Sequence, residues 1–320
     1  MEVPKSRAPE TVTAADYAQR VANEQEHHAH IARANEAEGE VRRFVTPVGV
    51  FQFAMSVYAA FLKERMPTVD LDVHVVSRQR ASPRPLRLLS LGCGTGDAEV
   101  KLIRETSGAL QVTLLDLSPD LLEAARRAAA EEGFPLEVKA ADVNEMEIPP
   151  GSYDFIVCRA SLHHFLKLEH VLDQVNRGLA AQGQFLVSGE WIGRRGLQRY
   201  PDAQRMAQSI FDRLPARLRR DSYTGEIHST LPDIDYSVNS FEAIRSEEIL
   251  PLVLDRLRPL EYVVYDGLLT PLLDFRYGPN YDMSSEHDRT LAAMITLMDV
   301  ELVRTGVLRP TALTGIFAKK

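Results

Sequence analysis

Between residues 88 and 100 the chain reads LLSLGCGTGDAEV. An apolar run enters a loop with glycine at alternate positions, Gly92, Gly94 and Gly96, and leaves in a stretch that reads as helix. A strand, loop and helix in this order aim backbone amides at a ligand, and the helix N-terminus favours negative or lone-pair-rich groups. Glycines let that ligand come close to the backbone. The spacing is G-x-G-x-G, and Asp97 stands where the dinucleotide fingerprint G-x-G-x-x-G has its third glycine, which disfavours NAD or FAD.

Two acids extend the pattern. Asp116 closes the next apolar run, twenty residues after Gly96, where a carboxylate can accept from two ribose hydroxyls. Asp142, in KAADVNEMEIPP, is expected at the end of a third strand, where it would receive an adenine amino group while Val143 packs on the ring. Either Asp alone is as readily a turn cap. Together with the loop they suit adenosine.

The elements that must position these residues alternate. LRLLSL, QVTLLDL, LEVKAAD, YDFIVCRA and GQFLVSGEW read as strands, with helices at DAEVKLIRET, PDLLEAARRAAAEEG and HVLDQVNRGLA between them. This alternation implies parallel strands covered by helices. Ser118 as N-cap, Pro119 at the first helical position and Gly133 beyond the end punctuate the second helix. Upstream, residues 14–43 favour helix, and the charge-free stretch 44–62, interrupted by Pro47, Gly49, Gln52 and Ser56, reads as a buried core helix and not a membrane span. SRQRASPRP (77–85) reads as a linker, 192–259 as a charged helical insertion, and EYVVYDGLL and TGIFAKK as closing strands around a helix at 287–305. The expected organisation is a helical N-terminal lid over 1–80, a core over 84–191 and 260–320, and an inserted cap over 192–259.

Composition narrows the partners. The chain has 320 residues, a formal net charge of −8 and no evident cluster of Lys and Arg, which argues against a nucleic-acid surface. Two cysteines, Cys93 and Cys158, offer neither a bridge framework nor a paired metal spacing. MEVPKSRAPETVT lacks the apolar core of a secretory signal, so a cytoplasmic protein without membrane or nucleic-acid partners is expected, with a homodimer left open. In HHAH, His27 and His30 lie about one helical turn apart and His28 sits between them, but no third ligand is identifiable and no metal is assigned.

LSLGCGTG, LLDLSPDLL, AADVNEMEIP and YDFIVCRASLHHF, in this order, resemble the class I S-adenosylmethionine-dependent methyltransferases. The resemblance covers about 88–190, with a tail at 260–320. It implies a Rossmann-like, doubly wound α/β fold with a seven-stranded sheet whose last strand is antiparallel. Gly92, Cys93, Gly94 and Gly96 would then hold the methionine part of S-adenosylmethionine, Asp116 with Leu117 the ribose, and Asp142 with Val143 the adenine; Arg159, at the end of the fourth strand, joins this cofactor set. The family often has an acid at the position of Ser90, so one contact that usually supports the loop is missing.

The cofactor that the resemblance implies carries a strong electrophile, so alignment of a nucleophile, exclusion of water and uptake of a proton are what remain for the protein. The acceptor pocket is expected beyond the carboxyl ends of strands four and five. His163 is the leading base candidate, with Glu190 as its catalytic partner. Tyr17, His164, Trp191 and Arg194 are expected at the acceptor. The expected activity is methyl transfer to a small organic acceptor in bacterial specialised metabolism, with S-adenosylhomocysteine as product. The alternatives are an NAD-type oxidoreductase and a non-catalytic, S-adenosylmethionine-binding regulatory protein.

Overall fold

The computed structural model describes residues 12–37 and 49–320, with no side-chain detail for 27–37. The side chains of His27, His28 and His30, and residues 44–48 of the charge-free stretch, lie outside the described residues.

Apolar residues on alternate sides of each strand bury both faces of one sheet. In β1 (Arg87–Leu91) Leu88 packs into one core, whereas Leu89 and Leu91 pack into the other. The sheet adds β2 (Gln111–Asp116), β3 (Glu137–Ala140), β4 (Tyr153–Arg159), β5 (Leu179–Trp191), β6 (Leu257–Tyr265) and β7 (Ala312–Lys319). Its order is β3-β2-β1-β4-β5-β7-β6, and β7 runs antiparallel to both β5 and β6. The order reverses between β1 and β4, the place where open parallel sheets bind ligands. The Rossmann-like seven-stranded fold with an antiparallel last strand is therefore as expected.

One face is covered by α2 (Gly49–Arg65), α3 (Leu71–Ala81), α4 (Asp97–Glu105), α5 (Pro119–Glu131) and α10 (Glu286–Arg304), the other by α6 (Leu168–Gly178) and α8 (Ser246–Arg256). Ser118 caps α5 through Leu121 N at 3.5 Å, a cap worth about 1 kcal/mol when well formed.

Three boundaries differ from expectation. The segment read as a linker from residue 77 is helical to Ala81, because Asp70 caps α3 through Val73 N (3.1 Å) and Leu71, Val75 and Val76 are buried. The charge-free helix α2, expected within the N-terminal lid, packs against α10, and the Tyr58 hydroxyl donates to Asp299 Oδ2 at 2.8 Å. Helix α8, placed in the cap, buries Ile249 and Val253 against the sheet and leads into β6. What remains, 192–245, holds α7 (Pro201–Phe211) and short 3-10 turns, so it is less helical than expected. Among the described residues no helix is long and apolar enough to cross a membrane.

Candidate active site

The loop after β1 hydrogen-bonds to the end of β2. Gly92 N donates to Leu115 O at 2.8 Å, and Gly94 N donates to Asp116 Oδ2 at 2.8 Å. Asp116 Oδ1 accepts from Ser118 N at 2.9 Å. Each carboxylate oxygen keeps a further lone pair for a ligand hydroxyl. Gly96 has φ +65° and a Cβ there would meet Leu114 Cδ1 at 2.5 Å, so only glycine seats the loop on the sheet. Gly94, at φ +56°, has nothing within 4 Å of its Cβ direction. The loop thus packs inward through Gly96 and presents open space at Gly94, which fits a ligand lying over it. Cys93 packs against the core, and burial, aided by the nearby Asp116 charge, pushes its thiol well up, so it is no thiolate nucleophile.

The acid missing at Ser90 is supplied from α4. Glu99, 2% exposed, accepts from Ser90 Oγ at 3.0 Å and from Arg159 Nε at 3.1 Å. Arg159 Nη2 reaches Asp72 Oδ1 on α3 at 2.6 Å. Arg159, expected at the cofactor, therefore ties β4 to α3 and α4 behind the loop.

Asp142 lies two residues beyond β3 and caps the 3-10 turn Val143–Glu145 through Asn144 N at 2.8 Å. Its Oδ2 accepts a hydrogen bond from the Tyr17 hydroxyl, and Asn144 Nδ2 donates to that hydroxyl at 3.0 Å. Tyr17, expected at the acceptor, thus lies on the carboxylate expected for adenine. It is carried by α1 (Ala14–Ala37), which is joined to the inserted segment: Arg20 donates to the carbonyls of Ser237, Val238 and Ser240, and Asn23 Nδ2 to Asn239 O at 3.1 Å. Val143 is buried beside Asp142, and Gln25 Nε2 donates to Leu117 O at 3.4 Å.

At the carboxyl ends of β4 and β5 the backbone is special twice. Ala160 has φ +47°, and the β5–β7 register shifts between Val187 and Glu190, where Gly189 has φ +65°. Glu190, fully buried, accepts from Ser161 N (2.8 Å), Leu162 N (2.9 Å) and His163 N (3.3 Å), and Oε2 lies 2.8 Å from His163 Nδ1. His163 Nε2 lies 3.3 Å from Glu242 Oε1, and His164 Nε2 3.6 Å from Glu242 Oε2. Burial lowers the His163 pKa, but hydrogen bonds and charge from Glu190 and Glu242 outweigh it and push the ring up to about 10. Glu242 is raised by burial and lowered more by the two histidines, to about 2. The ring of the expected base therefore carries its proton at neutral pH, and both nitrogens face carboxylates.

Trp191 Nε1 donates to Arg194 O at 3.0 Å, and Arg194 Nη1 to Arg199 O at 2.7 Å. Trp191 lines a cavity of about 60 Å³ with Leu231, Ile234, Tyr236 and Tyr277. The larger cavity, about 630 Å³, opens beside Arg87, Gln111 and Tyr153 at the opposite, amino ends of the strands, far from the loop. The sequence reading missed Glu99, Asp72 and Glu242; only Glu99, in the first turn after the loop, sits where a local signal could have found it.

Residues 88–183 match the family model described as "Methyltransferase domain". A demethylmenaquinone methyltransferase of Thermus thermophilus is 30% identical over 41% of this chain and 55% of its own length. A ubiquinone biosynthesis O-methyltransferase of Xanthomonas euvesicatoria is 29% identical over 36% of this chain and 55% of its own. The chain thus spans about half the length of the curated relatives it matches. Among solved structures, geranyl diphosphate C-methyltransferase from Streptomyces coelicolor aligns over 77% of this chain and 74% of that one, at 17% identity and a TM-score of 0.44.

Proposed function

From the match of residues 88–183 to the methyltransferase-domain family, we propose that the whole chain is an S-adenosylmethionine-dependent methyltransferase acting on a small organic acceptor in a bacterial biosynthetic route. The observation that carries the reading is the Asp116–Gly94 bond in a sheet of order β3-β2-β1-β4-β5-β7-β6: it sets a carboxylate, an open glycine loop and a helix N-terminus at the switch point.

When bound, the cofactor supplies an electrophilic methyl group. The chain's own residues do the rest. Gly92, Cys93, Gly94 and Gly96 give close backbone approach, Asp116 beside Leu117 offers lone pairs to a ribose, and Asp142 with Val143 takes an adenine once Tyr17 yields the carboxylate. Glu190 is a positioning residue, since its oxygens hold three amides of the turn after β4 and the His163 ring. His163, saturated at both nitrogens, holds Glu242 and the inserted segment in place instead of accepting the acceptor's proton. Helix α1 and 235–244 exclude water as one lid. The small cavity beside Trp191, which Arg199, Asp274 and Arg276 line together with Leu231 and Tyr277, takes part of the acceptor.

The test is calorimetric titration with S-adenosylmethionine, followed by mass spectrometry of S-adenosylhomocysteine and methylated product with quinol, phenol and amine acceptors. Binding and turnover of at least one acceptor are expected. Binding with no product from any acceptor would favour the regulatory alternative, and absence of binding would overturn the reading.

A further inference from the structure

His163 and His164 leave β4 in a 3-10 turn, and Glu242 comes from the inserted segment 78 residues after His164. The backbone fixes their approach: Ile244 N donates to His163 O at 3.2 Å, and Arg245 clasps both oxygens of Glu169 on α6. Ala243, next to Glu242, is held at φ +50°. One ligand atom from each of the three side chains lies within 4.8 Å of the others, with His163 Nε2 3.3 Å from Glu242 Oε1 and His164 Nε2 3.6 Å from the other oxygen, Oε2. A metal bound tetrahedrally at about 2.0–2.2 Å spaces its ligand atoms by roughly 3.3–3.6 Å.

We infer that His163 Nε2, His164 Nε2 and Glu242 form a site for a divalent transition-metal cation of the zinc class, which would join the inserted segment to the core. Two observations point to a ligand site over a packing cluster. The other ring nitrogen of His163 faces Glu190 Oε2 at 2.8 Å, the carboxylate–histidine arrangement that fixes the tautomer of metal-bound imidazoles. His163 is 7% exposed while the His164 and Glu242 side chains are 32% and 29% exposed, which leaves an entry path and a place for a water ligand. Two imidazoles and one carboxylate favour zinc, cobalt or nickel over magnesium and calcium.

The inference is independent of the reaction proposed above and is tested on the full chain without substrate. After dialysis against chelator, titration with Zn²⁺ is expected to give one site per chain, and Co²⁺ at the same stoichiometry to give the visible absorption of a nitrogen-ligated low-coordinate ion. His164→Gln and Glu242→Gln, both at partly exposed side chains and checked for folding by circular dichroism, are expected to weaken binding at least about tenfold, as ligand losses do, and Glu190→Gln by about 10–100-fold. Excess Mg²⁺ is expected not to compete. Wild-type protein that binds no Zn²⁺, variants that bind it unchanged, or Mg²⁺ that displaces it would overturn the site and leave the cluster as a proton-held imidazolium between two carboxylates.

Discussion

The Tyr17 hydroxyl donates to Asp142 Oδ2, a contact between residues 125 positions apart that lays α1 over the carboxyl edge of β2 and β3. Asp142 cannot keep this bond and also give the same lone pair to an adenine amino group. Tyr17→Phe is therefore expected to speed both association and release of S-adenosylmethionine by about 2–10-fold, the range of one hydrogen bond. Stopped-flow binding checks this; rates equal to wild type would show that Tyr17 does not latch the lid.

Arg20 makes the companion contact, donating to three carbonyls of the inserted segment. Arg20→Ala is expected to lower turnover at least about tenfold while cofactor affinity changes less than about threefold, because alignment and water exclusion suffer and the loop does not. A fall in affinity equal to the fall in turnover would place Arg20 in cofactor binding instead.

Asp116 both accepts from the loop and faces the proposed ribose position. Asp116→Ala is expected to weaken S-adenosylmethionine binding by about 2–4 kcal/mol with the fold retained. Calorimetry on a variant with wild-type circular dichroism decides it, and unchanged affinity would remove Asp116 from the cofactor set.

Glu99 is buried with Ser90 and Arg159 as partners, and Arg159 keeps Asp72 if Glu99 is lost. Glu99→Ala is accordingly expected to cost about 2–4 kcal/mol of stability, below the largest losses seen when a buried ion is left wholly unpaired. Urea unfolding measures it; a loss under about 0.5 kcal/mol would mean the network contributes little.

Stability should also depend on pH through Asp274, whose carboxyl burial pushes up to about 6, with Arg276 and Arg199 opposing only in part. Between the ordinary carboxylate range, near about 3.9, and about 6, the folded chain binds this proton and the unfolded chain has released it. Stability therefore falls as pH rises through that window and levels off above it. Asp299, raised by burial and by Asp266, acts in the same direction, whereas Glu169, drawn down to about 2 by Arg245, acts in the opposite one and loses its contribution as pH falls. The difference between Asp274→Asn and wild type isolates one group: the variant should gain by up to about 3 kcal/mol from pH 4 to 7. A flat difference would mean that Asp274 titrates alike in both states.

The glycine loop, Asp116, the alternation of strands and helices and the capped α5 were legible because each rests on neighbours within a few residues: periodicity, punctuation and a strand-to-helix turn are local. The course of the sheet followed from them, since parallel strands with covering helices admit few connections. Tertiary structure alone decided the rest. No local pattern sets Glu242 beside His163, lays Tyr17 on Asp142 or lends Glu99 to Ser90, because those pairs meet only after the chain has closed over itself. The same closure set the surroundings of His163: a histidine's proton affinity depends on burial and nearby charge, and two carboxylates from distant segments face its two ring nitrogens and push its pKa up. Helix α8 likewise reads as part of a charged insertion until Ile249 and Val253 meet the sheet, since amphipathic periodicity gives a buried face without saying what covers it.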